Sequence, residues 1–441
     1  MLLKEEVHWR QKSRVKWIKE RDCNSKFFHK VANGTRNRKF IKSLVSKWRV
    51  TLSNIEIILE KILNFFGKLH SKFEGASWRV EGLDWIPISG ESADWLDRPF
   101  SEEKVCLVIF QLNKEKTPSP NGFTITVYQE CWDVIKEDLM RVFLQFHTNQ
   151  IINQSTNATF ITLVAKKNQT FKISDFRPIS LVTNLYKIIV KVLSRHLRIV
   201  LYETIFGSLR AFVEGRQILD DVLIANEMVD EKRRSGEKGV VFKIDFEKAY
   251  DHMDWGLLDH VLDKKGFSPK WRSWKRDCLS STSFAILVNG NAKGWVKVTK
   301  GLRQRDTLSP FLFTLVADVL NRMMIKVKET GLTKGFIVGR DKTRVSLLQF
   351  VDDTNFFSKT SLEHLQNLKL ILLIFRQVST LKINLEKNTI LGINTSQEFF
   401  SSLALILNYR VSERPLFYLG LPLGGNPKTI GFWDLVVERI S

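Results

Sequence analysis

The stretch Phe350-Val351-Asp352-Asp353 sets two adjacent carboxylates between apolar runs. Residues 345–349 precede it and Asn355-Phe356-Phe357 follows it, a pattern typical of two strands joined by a tight hairpin turn. Two neighbouring aspartates on an apolar hairpin repel each other, so the arrangement is costly unless a positive charge lies nearby. A hard divalent cation such as Mg²⁺ would supply that charge. A solvated Asp-Asp turn is the alternative, so a metal site requires another carboxylate elsewhere.

A second carboxylate ends the apolar run Val240-Val241-Phe242-Lys243-Ile244, which has the pattern of a buried strand. Asp245 follows that run directly. If this strand pairs beside the hairpin, the carboxylates converge at one edge of a sheet and can hold two Mg²⁺ ions. A capping or turn role for Asp245 is the alternative.

A polar loop, Gly301-Leu302-Arg303-Gln304-Arg305-Asp306, lies between the two acidic segments in the chain. It leads into a helix predicted from Pro310 through Ala317 to Met324. Free N–H groups and the positive end of the helix dipole at such a helix start suit a nucleotide or a template backbone. Taken alone, it is a loop before a capped helix.

The composition favours a folded protein with an anionic partner. The 441 residues are 44% hydrophobic, enough for a sizeable core and two or three subdomains. The net charge of +21 attracts polyanions, of which nucleic acid is the commonest large one. A membrane surface would also be attracted, but no apolar run reaches spanning length and no signal peptide begins the chain. Four scattered cysteines lack zinc spacing and indicate a reducing intracellular compartment.

Charge is concentrated at the start of the chain. Residues 1–50 contain fifteen Lys or Arg and four Asp or Glu, with aromatic residues between them, which is typical of an RNA-binding arm or a solvated amphipathic helix. In residues 51–98 a helical apolar pattern gives way to a polar segment that we interpret as a linker. Further helices are predicted over 101–113, 127–146 and 184–202, and in a segment ending at Arg234.

Together these segments resemble the reverse transcriptases of plant non-LTR (LINE-type) retrotransposons. The resemblance extends from Trp9-Arg10-Gln11-Lys12 through Phe176-Arg177-Pro178-Ile179-Ser180 and residues 245–251 to Tyr418-Leu419-Gly420-Leu421-Pro422. It implies an α+β right-hand polymerase fold of fingers and palm, with an antiparallel palm sheet and packed helices. The corresponding division is a basic helical extension and linker (1–98), fingers with the start of the palm (99–239) and a palm that lacks the following thumb (240–441).

The resemblance also assigns roles to individual residues. Asp245, Asp352 and Asp353 would bind two Mg²⁺ ions, with Mn²⁺ as a possible substitute. Tyr250 would lie under the sugar and reject a 2′-hydroxyl, although a core ring beside a helix start is the alternative. Lys387 would lie near the pyrophosphate leaving group. The residues expected to contact nucleotide or template are Tyr250, Gln304, Arg303, Phe246, Arg216 and Arg177.

The implied activity is RNA-directed DNA synthesis on an RNA template and DNA primer with dNTPs, in the nucleus or cytoplasm. Two substitutions depart from the family pattern Arg-Gln-Gly-Asp-Pro-Leu-Ser-Pro: Arg305 replaces its Gly and Thr307 its Pro. If that Gly provides a positive φ, Arg305 strains the turn and crowds the pocket. Drift and apparent truncation predict a decayed copy, so a nucleic-acid-binding remnant without catalysis is the alternative. A metal-dependent nuclease would leave Gln304 and Tyr250 unexplained.

Overall fold

The computed structural model describes residues 40–45, 49–71, 79–114, 122–167, 170–207, 209, 218–339, 343–384, 388–407, 410–411, 416–423, 434 and 437. These residues form helices and mainly antiparallel sheets, which confirms the expected α+β class. The basic arm lies largely outside the described residues. None of the helices within them is both long and apolar enough to cross a membrane.

The helices are α1 (Ile55–His70), α2 (Gly90–Leu96), α3 (Glu102–Phe110), α4 (Ile125–Glu130), α5 (Trp132–Asn149), α6 (Asn184–Thr204), α7 (Ile218–Arg234), α8 (Ala249–His252), α9 (Trp255–Lys264), α10 (Pro269–Ser280), α11 (Ser309–Glu329), α12 (Leu362–Ser379) and α13 (Gln397–Leu407). The strands are β1 (Leu44–Val45), β2 (Thr51–Leu52), β3 (Ala158–Ala165), β4 (Phe176–Val182), β5 (Gly239–Ile244), β6 (Phe246–Glu247), β7 (Ser283–Val288), β8 (Asn291–Lys297), β9 (Phe336–Val338), β10 (Thr343–Val345), β11 (Leu347–Phe350), β12 (Asp353–Lys359), β13 (Lys382–Ile383), β14 (Thr389–Ile393), β15 (Arg410–Val411), β16 (Leu416–Tyr418) and β17 (Leu421–Leu423).

A five-stranded sheet in the order β11-β12-β5-β14-β15 is covered on both faces. Phe242 and Ile244 of its central strand β5 join the main core, which contains residues of α6, α9, α11 and α12. Val241, the residue before Phe242, points to the other face and joins a second core with Met228 of α7. A strand buried on both faces needs apolar residues at nearly every position. This explains why the sequence before Asp245 is hydrophobic at every position except Lys243.

The acidic hairpin pairs directly with β5. Strands β11 and β12 are antiparallel, with Phe350 opposite Asp353, which leaves Val351 and Asp352 as the turn. On the other side of β12, Thr354 lies opposite Ile244. Asp245 therefore leaves β5 beside the hairpin turn, and the predicted adjacency of the two acidic segments is confirmed.

A second sheet has four strands in the order β4-β3-β7-β8. Its strands β3 and β7 are parallel, whereas β3–β4 and β7–β8 are antiparallel. Ile161 and Ile286 pack with Ile58 and Ile62 of α1 in a separate core. The face that carries Ile161 and Ile286 is therefore buried against α1.

The segment interpreted as a linker belongs to the main core instead. Ile88 and Leu96 are buried there, and Ser89 caps α2 by accepting a hydrogen bond from the Ser92 N–H group. The helix predicted over 127–146 is two helices, α4 and α5, which meet at Cys131. The apolar periodicity continues across this break, so periodicity alone did not locate it.

A buried ionic cluster joins three helices of the main core. Lys265, just after α9, donates to Asp318 of α11 over 2.6 Å, and both side chains are fully buried. Arg322 donates to the same carboxylate over 3.1 Å. Lys265 also donates to the carbonyl oxygen of Thr204, at the end of α6, over 2.8 Å. The cluster fixes the ends of α6 and α9 against the middle of α11.

Candidate active site

A cavity of about 980 Å³ opens at the edge of the five-stranded sheet where β5 and the acidic hairpin end. The residues predicted for the site that line it are Asp245, Phe246, Tyr250, Arg177, Gln304 and Asp352. Two others, Arg216 and Lys387, lie outside the described residues. Asp353 and Arg303 are described and do not line the cavity. The fold thus gathers acids, a tyrosine and a glutamine from segments far apart in the chain.

The position of Asp245 is set by backbone hydrogen bonds on both sides. Its N–H group donates to the side-chain oxygen of Asn388 over 3.0 Å. Its carbonyl oxygen accepts from the N–H group of Asn384 over 2.9 Å. The loop between β13 and β14, to which both asparagines belong, therefore holds the chain where it leaves β5.

The two hairpin acids face different surroundings. Asp352 is exposed and lines the cavity. Asp353 forms an ion pair of 2.9 Å with Lys243 of β5 and accepts a hydrogen bond of 3.4 Å from the Leu419 N–H group. Lys243 also donates to the carbonyl oxygen of Phe417. A lysine inside a hydrophobic strand requires a partner, so Lys243 was the sequence signal for this pair.

Val351 adopts a backbone conformation that is rare for its residue type. Its φ is +56°, in the left-handed region, and its side chain is buried. A β-branched residue at positive φ is a genuine outlier. Strain of this kind, on the order of 1–3 kcal/mol, persists where surrounding structure holds it, and it is typical of functional sites. Here it orients the turn that carries Asp352 toward the cavity.

The carboxylates of the cavity suit a divalent cation. Across the described ranges, no group of three or more His, Cys, Asp or Glu side chains is arranged to hold a metal ion. Asp245 and Asp352 are nevertheless hard oxygen donors on one cavity. Mg²⁺ is usually bound by one or two carboxylates, with substrate phosphates and water completing the shell. These two carboxylates therefore fit a divalent cation whose remaining ligands are substrate phosphates and water.

Tyr250 presents a rigid neutral ring to the cavity. It stacks on Phe313 of α11 with ring centroids 5.2 Å apart and planes 18° apart. Its carbonyl oxygen accepts from the Leu302 N–H group over 2.7 Å. Burial raises the pKa of its hydroxyl, and the charge of Asp352 raises it further. Both the core contact and the proposed contact with a sugar are therefore compatible with its position.

Gln304 contacts a buried acid that the sequence interpretation did not select. Its side-chain N–H group donates to Asp251 over 3.3 Å, and Asp251 also lines the cavity. Burial raises the pKa of the Asp251 carboxyl to about 6, although the charge of Lys248 and the bond from Gln304 oppose this. Asp251 lay within the resembling segment, but the residue pattern gave it no separate role.

Arg303 is placed differently from the expectation that it contacts nucleotide or template. It is buried, and its guanidinium lies 4.1 Å from the ring centroid of Tyr186. It donates to the carbonyl oxygen of Cys278 over 2.8 Å and also to the side chains of Asn157 and Thr282. Its donors therefore fasten the loop before α11 to the end of α10.

Arg305 occupies the strained position anticipated for the Gly of the family pattern. Its φ is +69°, and its side chain is exposed on the cavity lining. A glycine adopts this conformation without steric cost. The positive φ anticipated at this position is therefore present, and the long side chain lies at the cavity.

Further cations line the same cavity. Arg177 is exposed on β4, opposite Val164 of β3. Lys166 follows β3 and donates to the carbonyl oxygen of Ser174 over 2.8 Å. Lys248 has its ammonium 4.1 Å from the ring centroid of Phe65. The sequence interpretation did not select the two lysines, yet with Arg177 they make the cavity suitable for an anionic ligand.

Most residues that line the cavity lie within a region of the chain that is similar to known proteins. Residues 164–423 match the family model described as reverse transcriptase (RNA-dependent DNA polymerase). The chain is 25% identical over 380 residues, 86% of its length, to the transposon TX1 uncharacterized 149 kDa protein of Xenopus laevis. It is 23% identical over 66% of its length to a Pol polyprotein from the type-1 retrotransposable element R2 of Nasonia vitripennis.

These two relatives are much longer than the present chain, which spans 29% of the first and 25% of the second. A shorter stretch of 70 residues is 39% identical to an uncharacterized mitochondrial protein of Arabidopsis thaliana and spans 16% of this chain and 57% of that protein. Among solved structures, an apo telomerase from Candida tropicalis aligns with a TM-score of 0.43 and 13% identity, covering 69% of this chain and 61% of that one.

Proposed function

Since the chain belongs to the reverse transcriptase (RNA-dependent DNA polymerase) family, we propose that its cavity transfers a nucleotide from a dNTP to the 3′-hydroxyl of a primer on an RNA template. Its relatives identify it as a reverse transcriptase domain of a non-LTR retrotransposon. We assign it to the plant branch because of its motifs, and the Arabidopsis match supports that assignment. We place its action in the nucleus or cytoplasm.

One observation carries the proposal: Asp245 and Asp352, more than a hundred positions apart, line one cavity at the edge of one sheet. Members of the family generally use divalent metal ions. We propose that these carboxylates hold two Mg²⁺ ions, for which Mn²⁺ can substitute. The chemistry that such ions supply is activation of the primer hydroxyl and neutralisation of charge on the departing pyrophosphate.

The remaining cavity residues would position the substrates. Phosphoryl transfer needs aligned groups and stabilised charge more than covalent chemistry from the protein. Lys166 and Arg177 are the cations of the cavity suited to the triphosphate. Gln304, held by Asp251, would contact the nucleotide and template, and Phe246 would support the nucleotide side of the pocket. Lys387 and Arg216 lie outside the described residues, so the roles proposed for them rest only on the resemblance of their motifs.

Primer extension on an RNA template with Mg²⁺ and dNTPs tests the proposal, with Asp245→Asn as the matched variant. We expect extension by the unsubstituted chain and a loss of at least two orders of magnitude in the variant, whose side chain keeps its size but loses its charge. Retained binding of the primer-template by the variant would show that the fold is intact. Inert unsubstituted protein that still binds RNA with a steep salt dependence would instead support the non-catalytic remnant.

Sugar selection supplies a second test of the same cavity. Tyr250→Ala should relax the preference for dNTP over rNTP, whereas Tyr250→Phe, which keeps the ring, should preserve it. The ring stacked on Phe313 is the feature that would exclude a 2′-hydroxyl. Unchanged discrimination in an active Tyr250→Ala protein would remove this residue from that role.

A further inference from the structure

A second cavity, of about 270 Å³, is lined by residues of α2, α3 and α6, and we call it the α6 cavity. Among the described residues, none lines both this cavity and the one that contains Asp245 and Asp352. Val192, His196 and Ile199 line it together because residues three and four positions apart lie on one face of a helix. Its volume is close to the lower limit of roughly 300 Å³ for small-molecule sites, so a ligand that fits here is small.

The α6 cavity is lined by a buried histidine whose ring nitrogens are unsatisfied. His196 has 3% of its surface exposed, and neither Nδ1 nor Nε2 has a hydrogen-bond partner among the described residues. The ring is held by packing, with its centroid 4.7 Å from that of Trp95 and 5.7 Å from that of Phe100. A buried polar group without a partner destabilises the fold, so it requires an explanation. A ligand that supplies the missing partner is one.

Cations line the same cavity. They are Lys104 of α3 and Arg195 and Arg198 of α6, whereas none of the described residues that line the cavity is acidic. The Lys104 ammonium lies 5.0 Å from the ring centroid of Trp95, and Arg195 donates to the side-chain oxygen of Gln111. Three positive charges around one small cavity repel one another, so an anion is favoured there.

The chemistry of these groups favours a phosphate over a carboxylate. Burial, followed by the charge of Lys104, lowers the pKa of the His196 imidazole to about 4. The ring is therefore neutral at pH 7 and has one N–H donor. A phosphate monoester carries about −1.5 to −2 charges and has three strong acceptor oxygens. It can accept from the imidazole and from two cations at once, whereas a carboxylate has one charge and two oxygens.

The rest of the lining is apolar. It consists of Trp95, Val108, Val192 and Ile199. Ile199 leaves 48% of its surface exposed although it lies at the cavity. An inorganic phosphate would not cover these side chains, whereas a carbon framework attached to the phosphate would remove their apolar surface from water. The lining therefore matches a ligand that has both an anionic and an apolar part.

We propose that the α6 cavity binds a small organic monophosphate, with the phosphate held by Lys104, Arg198 and the ring of His196 and the carbon framework packed on Trp95 and Val108. Adenosine 5′-monophosphate has both parts and is the probe used below. The site is distinct from the cavity proposed for nucleotide transfer, and the proposal does not depend on that function.

Isothermal titration calorimetry with this probe tests the proposal in EDTA, which removes the metal ions that nucleotide transfer requires. Inorganic phosphate and adenosine should each bind at least tenfold more weakly than the monophosphate. His196→Phe keeps a ring in the packed position, and both it and Arg198→Gln should weaken binding about tenfold. Arg98→Gln removes an exposed arginine that does not line the cavity, so this matched control should change the affinity less than twofold.

Thermal unfolding shows whether the fold is kept. His196→Phe removes two unsatisfied nitrogens, so its midpoint should be at least as high as that of the unsubstituted chain. The probe should raise the midpoint of the unsubstituted chain more than that of either cavity variant. No binding by the unsubstituted chain, equal binding of inorganic phosphate, or unchanged affinity in either His196→Phe or Arg198→Gln would overturn the proposal. Failure of primer extension would overturn only the polymerase proposal.

Discussion

The two large sheets differ in where their candidate functional residues lie. The five-stranded sheet is buried on both faces, and the acids that line the cavity come where its strands end, at Asp245 and at the hairpin turn. One face of the four-stranded sheet packs on α1, and Trp295 is exposed within a strand on the other face. In the first sheet the proposed chemistry lies at an edge, whereas in the second an aromatic ring is exposed within a strand.

This difference indicates which residues are informative about function in each sheet. In a sheet covered on both sides, a charged residue inside a strand must be paired, as Lys243 is with Asp353. In a sheet with one open face, an exposed ring is the informative feature. The four predictions below test this contrast.

The largest expected effect separates the two neighbouring acids of the hairpin. Asp352→Asn removes a cavity carboxylate and should lower primer extension at least a thousandfold, or ~4 kcal/mol in the barrier. Asp353→Asn alters an acid that pairs with Lys243, so we expect a loss of about tenfold. Single-turnover extension measures both. Equal losses in the two variants would contradict the division of roles, provided that both still bind primer-template.

Loss of an aromatic ring should lower the free energy of unfolding far more in the five-stranded sheet than in the four-stranded one. Phe356 is buried in the central part of the five-stranded sheet, so Phe356→Ala should cost about 3 to 4 kcal/mol in unfolding free energy. Trp295→Ala removes an exposed ring and should change it by less than about 0.5 kcal/mol. Urea unfolding followed by circular dichroism gives both values. A large loss for Trp295→Ala would show that the indole contributes to the packing of the sheet.

Acid should loosen the four-stranded sheet through His70. This residue is buried between Phe66 and Phe284, and burial lowers the pKa of its imidazole from 6.5 to about 4. Between these pH values the unfolded chain binds more protons than the folded one, so stability falls as pH decreases. We expect ~2 kcal/mol from His70 between pH 7 and pH 5.

His70→Gln should remove that part of the acid sensitivity. The measurement is urea unfolding at a series of pH values for the variant and the unsubstituted chain. Parallel pH profiles in the two proteins would exclude His70 as the titrating group.

The smallest effect is expected at Arg305. Arg305→Gly relieves the left-handed backbone at φ of +69° and should stabilise the fold by ~1 kcal/mol while raising extension. Arg305→Ala removes the long side chain but not the backbone strain, so it separates crowding from strain. Thermal unfolding and primer extension measure the two effects. Extension at the unsubstituted level in both variants would mean that the side chain does not crowd the cavity.

Local signals located most of the site. The acidic hairpin, the buried strand before Asp245 and the helix that begins near Pro310 all follow from short-range patterns of burial and turn residues. These patterns concern neighbours in sequence, and strand ends and helix starts are where such neighbours carry most information. The reverse transcriptase family was likewise recognisable from the order of these segments.

The features that were not predicted from the sequence depend on contacts between residues far apart in the chain. Arg303 and Arg305 are two positions apart, yet one is buried under Tyr186 and the other lines the cavity. Asp251 acquires its contact with Gln304 only through the tertiary fold. The division at residues 98 and 239 stays a prediction, and Leu96, Leu193 and Phe242, from its three parts, share the main core.

The Lys265–Asp318–Arg322 cluster has a consequence for how the molecule opens. Lys265 and Arg322 share the Asp318 carboxylate and the Thr204 carbonyl oxygen, so fraying at the end of α6 or α9 takes a hydrogen-bond partner from the buried groups of the others. Amide hydrogens near Thr204, Lys265 and Asp318 should therefore exchange together, as members of one cooperative unit. The packing that supports the cavity-lining strands is consequently expected to open in one cooperative step.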